Sequence, residues 1–153
     1  MSVRLQAEFL ARLVGRFEIR NEVPIGDGRD QRAWDTTISI EDETAAVEYE
    51  SRLTDAQAFV RRSTLKCRDS GIDRVIVVLN DTNSNRRAVL AAREYLRPLF
   101  PLEPSEVLAS LRAGRLPTAG GIVFIRPARS GSVVSRSLFS SGVSRVGSRD
   151  PPL

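Results

Sequence analysis

Residues 34–52 read WDTTISIEDETAAVEYESR, and their alternation of apolar and polar side chains decides the fold of the N-terminal half. The run from Trp34 to Ile40 and the run around Val47 and Tyr49 both follow the two-residue period of a β-strand. The acidic link EDET between the two runs predicts a turn. We therefore expect an antiparallel hairpin.

Pairing in this hairpin brings Asp35 close to Glu48 and Glu50 on one face of the sheet. Carboxylates a few ångströms apart oppose each other's ionisation unless a cation or a shared proton relieves the repulsion. The pattern therefore indicates a metal site. Short acid-x-acid patterns also occur on exposed strand faces, so the hairpin alone leaves a solvated face as the alternative.

The composition limits the chemistry of such a site. The chain has 153 residues, one cysteine and no histidine, which suits one domain and excludes a disulfide framework and a multi-cysteine zinc site. Without histidine, the usual Ser-His and Cys-His catalytic pairs are also excluded. Oxygen ligands would favour Mg²⁺ or Mn²⁺.

The excess positive charge lies at the C-terminus. Residues 126–153 hold five arginines and one acid, which accounts for the whole net charge of +4 and leaves residues 1–125 balanced. We predict one folded domain over residues 1–126 and a disordered Ser/Gly/Arg/Pro tail over residues 127–153. The chain shows no long apolar run and no secretory signal, which predicts a cytoplasmic protein without a membrane partner.

The remaining pattern predicts an α/β domain with a mixed sheet and helices on both faces. Helical spacing of apolar residues predicts helices over residues 2–19, 83–96 and 104–112, and one that starts at a capping box from Thr54 to Gln57 and stops at Gly71. Apolar runs predict strands over residues 74–79 and 121–125, with a short strand near residues 22–25.

This order of elements resembles the core of the PD-(D/E)xK, or restriction-endonuclease-like, nuclease superfamily. The motif of that superfamily has an Asp on one hairpin strand and Glu/Asp-x-Lys on the next, and Asp35 and the run from Glu48 to Glu50 match these positions at a spacing of 13 residues. The resemblance covers residues 2–81 and, more loosely, the chain up to Arg126. It implies a restriction-endonuclease-like sandwich.

The chain is also similar to a domain found at the C-terminus of actinobacterial helix-turn-helix regulators. The similar stretches are EYESRLTDAQ from Glu48, KCRD from Lys66, RVIVV from Arg74, NRR from Asn85 and GRLP from Gly114. This similarity implies a role near transcriptional regulation, with DNA or a helix-turn-helix protein as the partner.

The resemblance to the nuclease superfamily implies a role for each matching acid. Asp35 and Glu48 would hold Mg²⁺ or Mn²⁺, with Glu8 on the first helix as a further ligand. Glu50 would complete the catalytic set in the position usually taken by lysine. The only lysine, Lys66, is expected to lie too far along the second helix to replace it.

Two polar residues of the second helix would face the same cleft. Gln57 and Arg61 are one turn apart and would contact a phosphate, although the capping box favours Gln57 as a capping residue instead. Two functions remain open at this stage. One is metal-dependent hydrolysis of DNA phosphodiesters, and the other is a catalytically silent nuclease-like module that binds or senses a partner in a regulatory or toxin–antitoxin-type system.

Overall fold

A five-stranded mixed sheet forms the centre of the structure, a computed structural model that describes residues 2–127. The elements are, in chain order, α1 (Val3–Leu10), β1 (Glu18–Pro24), β2 (Ala33–Ile40), β3 (Glu43–Glu50), α2 (Ala56–Ser70), β4 (Val75–Asn80), α3 (Asn83–Ala91), α4 (Arg93–Leu96), α5 (Pro104–Arg112) and β5 (Gly121–Ile125).

The strands lie side by side in the order in which the chain makes them. β1, β2 and β3 are antiparallel neighbours, whereas β3, β4 and β5 run parallel to one another. Each parallel connection crosses over through a helical segment, because parallel strands cannot be joined by a tight turn. The prediction of an α/β domain with a mixed sheet is confirmed.

Helices cover both faces of this sheet, as the sequence predicts. On one face, α1 and α5 bury Phe9 and Val107 against residues such as Val47 and Ile38. On the other face, α2 and α4 bury Phe59 and Leu96 in a second core.

β4 shows why a continuous apolar run predicts a central strand. Every residue from Val75 to Leu79 is buried, and their side chains alternate between the two cores. A strand covered on both faces has no solvated side and therefore no polar alternation.

The predicted antiparallel hairpin forms between β2 and β3, with Thr36 opposite Val47. Glu41 takes a positive φ of 54° in the turn. Val47 and Tyr49 face the core under α1, and Ala46 belongs to the core under α2. Glu48 therefore projects on the α2 side, since neighbouring side chains of a strand point to opposite faces.

The N-terminal elements differ from the prediction. α1 ends at Leu10 rather than near residue 19, and residues 11–17 form turns with backbone bonds from Leu13 N to Leu10 O and from Phe17 N to Val14 O. Phe17 still reaches the core, so the apolar spacing continues although the helix does not. The short strand predicted near residues 22–25 is the seven-residue edge strand β1, which is largely exposed and so lacks a clear apolar pattern.

Two helix boundaries also differ from those predicted. The N-cap of α2 is Asp55, whose side chain accepts a hydrogen bond from Ala58 N, so the capping box predicted from Thr54 to Gln57 is wrong by one residue. Gly71 ends α2 in the left-handed region at φ 77°, as expected of a C-terminal glycine. The helix predicted over residues 83–96 is divided into α3 and α4 at Ala92.

The predicted C-terminal tail lies, apart from Pro127, outside the described residues. Within residues 2–127, none of the helices has the length and apolar character needed to cross a membrane.

Candidate functional site

A cleft of about 280 Å³ opens on the α2 face of the sheet, where β3 ends and β2 begins. The three acids predicted to converge, Asp35, Glu48 and Glu50, all line it. Its complete lining is Arg32, Asp35, Glu48, Tyr49, Glu50, Phe59, Arg62, Ser63, Leu65 and Lys66. The sequence-predicted acids are thus brought together, with basic side chains of α2 opposite them.

Asp35 is fixed across the hairpin. Its Oδ2 accepts a hydrogen bond of 3.0 Å from the backbone N–H of Tyr49, which lies between the other two acids. The regular ladder between β2 and β3 runs only as far as Thr36 and Val47. At this end of the hairpin a side chain therefore provides the link between the strands.

Glu48 is the most buried acid of the cleft, with 7% of its surface exposed. Burial raises its pKa from 4.5 to about 7; Lys66 opposes this rise, and the neighbouring Asp35 carboxyl adds to it. The Asp35 and Glu48 carboxyl groups interact directly, and ionisation of both is unfavourable without a cation.

Lys66 supplies that positive charge. Its Nζ donates a hydrogen bond to Glu48 Oε1 and forms an ion pair with it, and only 18% of the lysine side chain is exposed. The ammonium group also lies 4.9 Å from the centre of the Trp34 ring. The expectation that Lys66 lies too far along α2 to serve the site is wrong.

The helical spacing of α2 explains this position. Phe59, Ser63 and Lys66 are separated by four and three residues, so they lie on one face of the helix. Phe59 and Ser63 are both buried against the sheet. The seven-residue spacing between a buried phenylalanine and the only lysine was a signal that could have located Lys66 in the cleft.

Glu50 is the second acid with an altered pKa. Burial raises its pKa, the positive charge of Arg62 lowers it, and the negative charge of Asp35 raises it further. Arg62 lines the cleft, and its guanidinium carbon lies 5.9 Å from the centre of the Phe59 ring. Glu50 therefore shares the electrostatic environment of Asp35 while facing a second basic residue.

Three sequence-predicted site residues lie elsewhere. Gln57 and Arg61 are exposed on α2 and do not line the cleft, because the face of the helix that meets the sheet carries Arg62 and Lys66 instead. Glu8 belongs to α1, which packs on the opposite face of the sheet through its buried side chains, and it does not line the cleft either.

Arg32 lines the cleft but is held by other acids. Its Nη2 lies 2.5 Å from Asp30 Oδ2 and 2.7 Å from Asp69 Oδ2. This bridge joins the loop before β2 to the end of α2 and closes one side of the cleft. Arg32 therefore forms one side of the cleft, whereas Arg62 is a basic group of the cleft that a ligand can reach.

Asn85 fixes the chain immediately after Glu50. It is 1% exposed; its Oδ1 accepts from Leu53 N at 3.0 Å, and its Nδ2 donates to Ser51 O and Asn80 O. The start of α3 is thereby tied to the ends of both β3 and β4. This network holds the carboxyl end of β3, and with it Glu50, in position.

The carboxylates fit a divalent cation only in part. Among residues 2–127 there is no group of three or more Asp, Glu or Cys side chains arranged to hold a metal ion. Asp35 and Glu48 are two adjacent carboxyl groups whose mutual repulsion a cation would relieve. Two carboxylates suit Mg²⁺, which commonly takes its other ligands from water and substrate phosphate.

Comparison with known proteins gives no assignment: no protein-family model, no curated protein and no solved structure matches this chain. The function must therefore be argued from the site itself.

Proposed function

We propose that the cleft hydrolyses DNA phosphodiester bonds with the help of Mg²⁺ or Mn²⁺, and that the domain has the restriction-endonuclease-like fold of the PD-(D/E)xK superfamily. One observation carries the proposal: Lys66 of α2 pairs with Glu48 beside Asp35. The strand position where that motif has lysine holds Glu50 here, and Lys66 brings a positive charge to the same cleft from the neighbouring helix.

The arrangement of strands supports this fold. The chain forms a helix, three antiparallel strands, a helix and a strand that joins the sheet parallel to β3. This is the element order on which the resemblance rests. The two motif acids lie in neighbouring strands, at the start of β2 and near the end of β3.

Five side chains of the cleft have a chemical role in this proposal. Asp35 and Glu48 would hold the cation, which when bound supplies a Lewis acid to a phosphoryl oxygen. Lys66 offsets negative charge that develops on the phosphate, and Arg62 binds a neighbouring phosphate oxygen. Glu50, whose pKa is raised by burial, accepts a proton of the attacking water as the water oxygen bonds to phosphorus and the bond to the leaving oxygen breaks; the leaving oxygen takes its proton from solvent.

The test is cleavage of plasmid and linear duplex DNA in Mg²⁺ and in Mn²⁺. We expect Asp35→Ala and Lys66→Met to abolish cleavage and Arg62→Ala to weaken it. Arg61→Ala is the matched control because Arg61 neighbours Arg62 on α2 but is exposed outside the cleft, and it should cleave like the wild type. Tryptophan fluorescence would show that each variant is folded.

Calorimetry separates cation binding from catalysis. Titration of Mn²⁺ into the wild type should release or absorb heat at a single site, and Glu48→Ala should lose that signal. Wild-type protein that neither binds Mn²⁺ nor cleaves DNA would refute the proposal.

A second candidate, a catalytically silent module that binds or senses a regulatory partner, is favoured by a different observation. The ion pair with Lys66 already satisfies Glu48, and the described residues offer no three-carboxylate metal site. In such a module the pair stabilises the fold and binds no cation. Mg²⁺-dependent cleavage that disappears in Asp35→Ala would exclude this candidate.

A further inference from the structure

A second concave surface lies at the β5 edge of the sheet, away from the cleft, and has a volume of about 450 Å³. We call it the β5 groove. Its floor consists of buried or half-buried apolar side chains, namely Leu96, Phe100, Leu102, Ile122 and Phe124. Its volume lies in the range of sites that bind organic ligands, roughly 300–1,000 Å³.

Three arginines stand around this apolar floor: Arg86 on α3, Arg93 at the start of α4, and Arg97 directly after α4. Arg86 is already neutralised, because its Nε lies 2.7 Å from Asp81 Oδ1 while its guanidinium carbon lies 4.5 Å from the centre of the Phe124 ring. In the described part of the chain, the side chains of Arg93 and Arg97 have no acidic partner within ion-pair distance. Both are exposed and one helical turn apart.

The rim of the groove also exposes a large apolar side chain. Leu90 of α3 is 68% exposed and lies beside the arginines. The apolar floor, this leucine and the two arginines without an acidic partner together suit a ligand that brings both apolar groups and negative charge.

β5 contributes apolar side chains rather than free backbone to the groove, because Gly121, Ile122, Val123 and Ile125 are all buried. β5 is the last strand, and among the described residues only Leu102 pairs with its outer side, as an isolated bridge to Gly121. A flat lipid surface cannot reach a concave floor, and a polyphosphate has no apolar groups to fill it.

We propose that the β5 groove binds an acidic peptide segment of a partner protein, whose apolar side chains fill the floor and whose carboxylates pair with Arg93 and Arg97. The site is separate from the cleft and does not depend on hydrolysis there. It assigns the domain a protein partner in addition to any nucleic acid.

Fluorescence anisotropy tests this with a labelled peptide in which leucine and phenylalanine alternate with glutamate. The full chain should bind it, and the double variant Arg93→Glu/Arg97→Glu should weaken binding by about tenfold or more, since two attractive charge pairs become repulsive. Leu90→Asp, a change at an exposed position that leaves the core intact, should also weaken binding.

The matched control reverses two exposed arginines near the other edge of the sheet, Arg20→Glu/Arg29→Glu, and should bind like the wild type. A peptide with glutamine in place of glutamate should bind much more weakly, as should one with serine in place of the apolar residues.

Several outcomes would overturn the proposal. One is an absence of binding at a peptide concentration of about 1 mM. Another is equal affinity for the glutamine peptide, or for the protein with reversed charges at Arg93 and Arg97. A labelled oligonucleotide whose binding is lost on that reversal would assign the groove to nucleic acid instead. Sedimentation that shows a dimer dissociated by the same reversal would assign it to a second copy of the chain.

Discussion

Raising the pH from about 5 to about 8 is expected to weaken the folded domain, because Glu48 is buried beside Asp35. Burial raises the pKa of Glu48 from 4.5 to about 7 despite its pairing with Lys66. The unfolded chain releases this proton near pH 4.5, and the folded chain holds it until about pH 7. Between these values the folded state binds more protons than the unfolded state, so the free energy of unfolding falls as the pH rises.

The size of the effect follows from the two pKa values. One pKa unit corresponds to about 1.36 kcal/mol, so the difference between 4.5 and about 7 amounts to about 3 kcal/mol over the whole window. This stabilisation is fully present below about pH 4.5 and is lost once the pH has passed about 7. A domain of this size has a total stability of about 5–15 kcal/mol, so the loss is a large fraction of it.

Acidic groups with lowered pKa values act in a different window. Arg68 and Arg32 lower the pKa of Asp69 from 3.8 to about 2, so its contribution is lost only as the pH falls below its ordinary value. The change between about pH 5 and pH 8 therefore reports on the buried acids of the cleft.

Urea unfolding followed by the fluorescence of Trp34, the only tryptophan and a fully buried one, measures this dependence. Glu48→Gln cannot titrate and should lose most of the slope; the remainder belongs to Glu50, whose pKa burial also raises. Glu18→Gln, at an exposed position in β1, should keep the full slope. A wild-type stability that is flat or rises between about pH 5 and pH 8 would refute the reasoning, as would an unchanged slope in Glu48→Gln.

Three further changes test other parts of the structure by chemical or thermal unfolding. Lys66→Met should lower the free energy of unfolding at about pH 8 by about 3–5 kcal/mol, because Glu48 is buried and loses its partner, so it must either stay charged in the core or take up a proton from a basic solution. Adding Glu48→Gln should recover most of this loss, and a loss that persists in the double variant would contradict the pairing. Asn85→Ala should cost about 3 kcal/mol because buried backbone groups lose their hydrogen bonds, whereas Asn83→Ala at the exposed start of α3 should change little. Gly120→Ala should destabilise by about 1–3 kcal/mol because its Cβ would press on the carbonyl oxygens of Leu99 and Val75, whereas Gly15→Ala, with nothing within 4 Å of the added Cβ, should be tolerated.

The sheet could be predicted from the sequence because its strands differ in burial. β4 reads as a continuous apolar run since it is covered on both faces, and the β2–β3 hairpin reads as an alternation with an acidic turn. The first and last residues of β1 are hard to predict because this strand is exposed at an edge, where apolar and polar residues do not alternate with burial. α1 was predicted too long because Phe17 continues the apolar spacing from within a turn.

For a related reason, the acidic half of the site could be predicted from the sequence and the basic half could not. Strand alternation places Asp35, Glu48 and Glu50 without knowledge of tertiary packing. The basic half depends on which face of α2 meets the sheet, and this is set by the burial of Phe59 and Ser63. Gln57 and Arg61 lie on another face of α2, whereas the face that meets the sheet carries Arg62 and Lys66.

The edge strand β1 has a consequence for how the molecule behaves at high concentration. Its ladder with β2 skips the residue between Asn21 and Val23, where Glu22 takes a left-handed φ of 51°, and Pro24 has no N–H to donate. Glu18 and Arg20 add charge to the same exposed edge. An edge strand that is kinked and charged and lacks one backbone N–H donor is a poor template for another strand. The antiparallel end of the sheet is therefore protected from open-ended stacking into fibrils.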